Sequence, residues 1–213
     1  MSDKFRKKRE KMIERQLIKR GIEDEEILEA FRSVPRHEFV PRERKKQAYQ
    51  DRPLPIGENQ TISQPYIVAY LMDKLQPSEN DRVLEVGSGC GYVLALLSHI
   101  VGEVYGVERR SSLVKMSRKI LARLDYDIEV KHGDGSKGWP RHAPFDGIMV
   151  SAAAASIPDD LRNQLAIPGR MILPVGEKMF FQQLVLVTRR REDKFGERKL
   201  EPVRFVPLVE GRE

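Results

Sequence analysis

Apolar positions along this 213-residue chain fall into two regimes that change near residue 66. Before it they are sparse and helically spaced. Ile13, Leu17 and Ile18 recur on one helical face, and Gly21 stands where a left-handed residue ends such a helix. Asp24 offers an N-cap for a second short helix carrying Ile27, Leu28 and Phe31, which Val34-Pro35-Arg36-His37 terminates. From Pro41 to Pro65, scattered prolines and weak periodicity predict a long loop, and the apolar Leu54, Ile56 and Ile62 within it predict that it is ordered.

Beyond residue 66 the pattern becomes regular. Ile67, Val68, Leu71 and Leu75 mark a helix, Val83–Val86 a buried strand, Tyr92–Ile100 a helix and Val104–Val107 a strand. Leu113, Met116, Ile120, Leu121 and Leu124 give the next helix its apolar face, and Ile128–Val130, Gly147–Val150 and Met171–Leu173 supply further strands. A helix begins near Pro158, a residue suited to a first turn. Such alternation predicts an α/β fold, a doubly wound and mostly parallel sheet with right-handed crossovers. After Pro174, Gln182–Thr188 and Val203–Leu208 read as antiparallel strands joined by a charged turn, Arg189–Lys199. With no linker or repeat, residues 1–213 read as one domain: an N-terminal helical extension and loop (1–65), a core (66–176) and C-terminal strands (177–213).

Composition narrows the setting. No apolar stretch approaches the roughly 18 residues of a membrane span, and the basic start Lys4–Lys11 is not followed by the apolar run of a secretory signal. A lone cysteine, Cys90, excludes an intrachain disulfide framework and a cysteine-cluster metal site, so no metal is assigned and a cytoplasmic setting is expected. The net charge is +6, but the basic runs Arg6–Lys11, Arg42–Lys46 and Arg189–Arg191 are broken by acids or lack interleaved aromatics. A solvated surface is therefore favoured over a nucleic-acid footprint. Abundant Lys, Arg and Glu lean towards a thermophilic source.

The chemistry concentrates at Asp81-Arg82-Val83-Leu84-Glu85-Val86-Gly87-Ser88-Gly89-Cys90-Gly91-Tyr92. A dinucleotide turn is Gly-x-Gly-x-x-Gly and faces a pyrophosphate; here the last glycine comes one residue early, at Gly91, and Tyr92 takes its place. A carboxylate at Glu85 repels phosphate and attracts an ammonium or sulfonium. The ligand that fits is S-adenosylmethionine, which has both cations and a ribose but no phosphate. Glu108, at the end of the next strand, stands where an acid accepts from ribose hydroxyls, unless it only pairs with Arg109 or Arg110. Asp134, in His132-Gly133-Asp134-Gly135, is placed either to accept from an adenine amine or to form an Asx-turn. The expected cofactor set is Glu85, Gly87, Ser88, Gly89, Gly91, Glu108, Arg109, Gly133, Asp134 and Gly135.

A second stretch, Asp51 to Pro65, contains neither a nucleophile–base pair nor metal spacing, and Ser63 there reads locally as a helix cap. The small side chains of Ser151-Ala152-Ala153-Ala154-Ala155 allow a substrate backbone to approach closely.

These residues, with others along the chain, carry a resemblance to the protein-L-isoaspartate O-methyltransferase family. The matching segments are Gln16-Leu17 with Arg20-Gly21-Ile22; Val34-Pro35-Arg36-His37 with Phe39-Val40-Pro41; Ala48-Tyr49 with Asp51; Pro53-Leu54-Pro55-Ile56-Gly57; and Gln60-Thr61-Ile62-Ser63-Gln64-Pro65. They continue through the glycine turn, Val107-Glu108-Arg109, Gly133-Asp134-Gly135, Ala143-Pro144-Phe145-Asp146, Leu173-Pro174-Val175-Gly176 and Arg204-Phe205-Val206-Pro207-Leu208. The resemblance implies a Rossmann-like methyltransferase that esterifies the free α-carboxylate of L-isoaspartyl residues in damaged proteins. It implies Ser63 as the active-site serine, Thr61 and Ile62 beside the cofactor, and Pro55, Ile56, Ala152 and Val206 facing the peptide. The chain departs from the family pattern at Gly57-Glu58-Asn59, Cys90 and Ser151.

The acceptor carboxylate is already ionised at neutral pH, so no general base is required and His37 reads as a structural residue. The expected partners are isoaspartyl proteins and peptides, with no membrane, and the chain is expected to act as a monomer. Two rivals are an RNA methyltransferase and a non-catalytic cofactor- or RNA-binding module. Asp134-Gly135 and Asp146-Gly147 are themselves prone to succinimide formation, so both are expected to be held in geometry that prevents it.

Overall fold

The structure is a computed structural model and describes residues 4–176 and 182–211. The start of the predicted C-terminal segment, residues 177–181, lies outside the described residues. The N-terminal region holds α1 (Arg6–Met12), which runs through one π-turn (Ile13–Leu17) and one 3-10 turn (Ile18–Arg20) to Gly21 at φ 87°. It then holds α2 (Glu25–Ser33), whose N-cap Asp24 accepts from the N–H groups of Glu26 and Ile27, as expected.

The predicted loop at 41–65 is more structured than its prolines imply. It contains a 3-10 turn (Arg42–Gln47) and an antiparallel hairpin, β1 (Leu54–Gly57) with β2 (Gln60–Ile62). The hairpin turn is Glu58-Asn59, both left-handed at φ 52° and 55°, so the departure from the family pattern lies in a turn. Alternation is preserved across it: Leu54, Ile56 and Ile62 are buried, while Pro55 and Thr61 are exposed.

The core follows as α3 (Pro65–Leu75), β3 (Arg82–Val86), α4 (Tyr92–Leu97), β4 (Glu103–Glu108), α5 (Ser111–Arg123), β5 (Glu129–His132), β6 (Phe145–Val150), α6 (Asp159–Asn163) and β7 (Leu165–Val175). The hairpin β8 (Gln182–Arg191) and β9 (Lys194–Val203) completes a sheet of order β5-β4-β3-β6-β7-β8-β9. The strands β3 to β7 are parallel and the last two pairings antiparallel, which is the predicted doubly wound architecture. One correction falls at its edge. The charged segment Arg189–Lys199 is largely strand, turning only near Glu192-Asp193. Of the predicted strand Val203–Leu208 only Val203 pairs in the sheet, as the last residue of β9, while Arg204–Leu208 leaves it. An edge strand with charged side chains resists pairing with another chain, so charge there does not signal a loop.

Alternation along β3 distributes the two faces. Val83 packs with α3, α4, α5 and the N-terminal helices, whereas Leu84 and Val86 pack with Phe145, Leu161 and Leu165. Glu85 thus faces the α4 side. The chain runs outward from β3 through β4 to β5, returns to β6, and so leaves its switch point beyond the carboxyl ends of β3 and β6.

Candidate active site

The glycine turn rises at that switch point. Gly87 and Ser88 donate to the Val107 carbonyl at 2.8 and 3.2 Å, folding the turn over the end of β4. Gly91, at φ 85°, caps α4, and a β-carbon there would lie 3.2 Å from Leu121 Cδ1 and 3.3 Å from Ser117 Cβ. Only glycine meets both the backbone and the packing demands of that position.

Glu108 closes the turn from below. Its Oε2 accepts from Gly89 N at 2.9 Å and its Oε1 from Arg110 N at 2.8 Å, while the residue lines the cleft. Both oxygens thus accept from backbone N–H groups, and an oxygen with a second lone pair can still accept from a ribose.

Glu85 is positioned differently from expectation. It is 1% exposed, lies beneath the turn rather than on the cleft wall, and accepts from Ser151 Oγ at 2.8 Å through Oε1. Its Oε2 is buried without a partner among the described residues. Burial pushes its pKa up to about 8, the Ser151 hydrogen bond opposes the shift, and the negative Glu108 adds to it. Glu85 is therefore mostly neutral near pH 7, which corrects the premise that its charge repels phosphate. An orphaned buried carboxyl oxygen suits an ammonium group, whose positive charge would favour the ionised carboxylate.

Asp134 adopts the Asx-turn. Its Oδ1 accepts from Ser136 N at 2.9 Å and Ser136 Oγ at 2.7 Å, and its Oδ2 from Gly211 N at 2.7 Å. Partial burial opposes its ionisation, but these hydrogen bonds hold its pKa below the usual range. Gly133 donates to the Glu108 carbonyl at 3.0 Å, tying the two strand ends together. Gly135 lines the cleft, where a β-carbon would come within 2.5 Å of Val86 Cγ1.

Several segments of the chain border the cleft. Gln60 and Thr61 form one wall, Glu108, Arg109 and Arg110 another, and Ser151, Ala152 and Val206–Val209 a third. The hairpin seats on the glycine turn through Ile56, whose Cδ1 lies 3.4 Å from where a Gly89 β-carbon would be. The tail crosses the strand ends: Ala153 N donates to Val206 O at 2.8 Å, Leu208 N to Ala153 O at 2.7 Å, and Arg109 Nε to Gly211 O at 3.0 Å.

Ile62 is buried in the hairpin and Pro55 is exposed on it; neither lines the cleft. Ser63 is half-buried and follows β2 directly, outside the lining set. It does not cap α3, whose N-cap is Gln64 without a side-chain bond. Its carbonyl instead accepts from Arg36 Nη2 at 2.7 Å. His37 is structural as expected, with Nδ1 at 2.7 Å from the Tyr49 hydroxyl. Residue-by-residue reading missed Gln60, Arg110 and Leu208 in the walls and Ser151 as the partner of Glu85; the last sat in plain view beside a strand end.

A doubly wound sheet, a glycine turn at its switch point, and carboxylates beneath and beside that turn define a Rossmann-like S-adenosylmethionine-dependent methyltransferase. The comparisons narrow the class. The family model described as protein-L-isoaspartate(D-aspartate) O-methyltransferase matches residues 7–213, and the chain belongs to that family. A protein-L-isoaspartate O-methyltransferase of Pelotomaculum thermopropionicum is 51% identical over 94% of this chain and 88% of its own, and one of Methylorubrum extorquens 48% identical over 95% and 89%. Among solved structures, a protein-L-isoaspartate O-methyltransferase superposes with TM-score 0.84 at 29% identity; the match covers 93% of this chain and 65% of that one. A Plasmodium falciparum protein described as a β-aspartate methyltransferase in complex with S-adenosyl-L-homocysteine gives TM-score 0.80 at 25% identity over 96% and 97%.

Proposed function

We infer that the protein transfers a methyl group from S-adenosylmethionine to the free α-carboxylate of L-isoaspartyl residues in damaged proteins and peptides. The products are the methyl ester and S-adenosylhomocysteine. The observation that carries the reading is the seating of the Leu54–Ile62 hairpin on the glycine turn through Ile56 and Gly89. Gln60 and Thr61 of that hairpin line the cleft, and Ser63 follows two residues after Thr61, which supports the reading.

When bound, the cofactor supplies an electrophilic sulfonium methyl group and departs as a neutral thioether. Glu108 accepts from the ribose hydroxyls, and Glu85, held by Ser151, receives the ammonium. Asp134 and the backbone around Gly135 border the base. Ser63, whose carbonyl is held by Arg36, donates through its hydroxyl to the acceptor carboxylate and fixes the direction of its attacking lone pair. Ala152 and Val206 border the peptide backbone. The acceptor is ionised near neutral pH, with a reference pKa of about 4, so these residues act by position rather than by removing a proton. Displacing water from the cleft strips hydration from the carboxylate as the opposite charges combine.

No helix among the described residues is long and apolar enough to cross a membrane. Burial pushes the Cys90 thiol up to about 12, so it remains protonated and unreactive near neutral pH. The reading adds that the chain works as a single-domain cytoplasmic monomer. Replacing Ser63 tests the core of this assignment. Ser63→Ala is expected to lower kcat by roughly tenfold to a hundredfold while cofactor Kd, by calorimetry, stays within about twofold. Parallel loss of turnover and cofactor affinity would contradict the orienting role.

A further inference from the structure

We propose that Arg36 is a positioning residue for methyl transfer: it fixes the main chain at Ser63 and places an unneutralised positive charge behind the acceptor side of the cleft. This rests on the methyl transfer proposed above, with the acceptor carboxylate beside the Ser63 segment.

Arg36 heads the largest fully buried side chains, at 0% exposure. Its Nε donates to Ala48 O at 2.8 Å and its Nη2 to Ser63 O at 2.7 Å, so one planar fork joins two segments distant in sequence. The guanidinium carbon lies 4.9 Å from the ring centroid of Tyr92, the first residue of α4. The same group therefore touches the acceptor segment and the helix that opens at the glycine turn.

Its surroundings do not balance its charge. The titratable groups felt by Arg36 are Tyr92, Cys90 and Tyr49, and burial keeps the Tyr92 phenol and Cys90 thiol protonated. Among the described residues it has no carboxylate partner, and its Nη1 is buried without an acceptor. A guanidinium stays charged even when buried, and a buried charge is costly unless paired. An apolar side chain of similar volume would fill the space more cheaply, so a purely packing role leaves the cation unexplained. An anionic acceptor arriving beside Ser63 explains it.

The test pairs Arg36→Lys, which keeps the charge and loses the fork, with Arg36→Met, which loses both. Steady-state kinetics on an isoaspartyl peptide, cofactor Kd and Tm are measured for each. Arg36→Lys is expected to lose roughly tenfold to a hundredfold in kcat with peptide KM nearly unchanged. Arg36→Met is expected to add a KM increase of about tenfold, and both keep cofactor Kd within about twofold. Folded variants with wild-type kcat and KM, or a cofactor Kd that weakens in step with turnover, would overturn the proposal. A second measurement needs no variant: the Arg36 Nε–H NMR signal of the S-adenosylhomocysteine-loaded enzyme should shift with isoaspartyl peptide but not with its aspartyl twin. An unmoved signal overturns the proposal even if both variants fail to fold. Ser63→Ala, run alongside, separates the two readings. Normal turnover there with loss in Arg36→Lys removes the Ser63 role and keeps that of Arg36; the reverse removes Arg36 alone.

Discussion

Burial sorts the carboxylates at the strand ends into different tasks. Glu108 lies at the cleft with both oxygens on backbone N–H groups, so it stiffens the turn and keeps lone pairs for a ligand. Glu108→Ala is expected to raise cofactor Kd by roughly tenfold to a hundredfold, the equivalent of one charge-assisted hydrogen bond at about 1.5–3 kcal/mol. An unchanged Kd would refute its ribose role. Glu85 is the more deeply buried of the two, 1% exposed against 7% for Glu108, with its pKa raised to about 8. A group raised in the folded state contributes stability that is complete below its unfolded pKa, near ~4.3, and lost as pH rises through the folded value. Unliganded protein should thus lose stability between about pH 5 and pH 8, on the order of 1 kcal/mol per unit from this group. Glu85→Gln should flatten that slope in denaturant titrations; identical slopes would show that Glu85 is not protonated in the fold. Both acids were visible in the sequence as strand-end carboxylates, but burial was not. That difference decides which one carries charge at pH 7.

Elements set by local periodicity were legible, and those set by partners elsewhere were not. The alternation of buried strands and amphipathic helices from residue 66 gave the parallel sheet, with boundaries shifted by a few residues, as at Leu165–Val175. The β1–β2 hairpin was hidden by Pro53 and Pro55 and by a turn, Glu58-Asn59, whose left-handed backbone glycine would have announced more clearly. Strand β9 was hidden by its charges. At the glycine turn, sequence and structure agree, and the agreement is testable. Gly91→Ala places a β-carbon against Leu121 and Ser117 at positive φ, a cost of about 1–2 kcal/mol, which should lower Tm by roughly 2–8 °C. An unaltered Tm in a thermal melt would mean that the turn relaxes without strain.

At the scale of the whole molecule, the strand order does what no short motif can. It brings Glu108, Gly135 and Ala152, from three separate βα connections, around one turn. Two distant pieces then complete the walls: the N-terminal hairpin through Gln60 and Thr61, and the tail through Val206–Val209. Periodicity could not place either piece at the site; only the resemblance carried by Gln60–Pro65 and Arg204–Leu208 did. Several basic side chains of this +6 chain are held by acids: Arg20 pairs with Asp51, Arg32 with Glu25 and Glu29, Lys45 and Arg123 with Glu38, and Lys137 with Asp160. The most direct test of the account is incubation of the protein with methyl-labelled S-adenosylmethionine and, separately, an isoaspartyl peptide, its aspartyl twin and bulk RNA. Base-labile label on the isoaspartyl peptide alone is the predicted result; label on RNA, or equal label on both peptides, would contradict it.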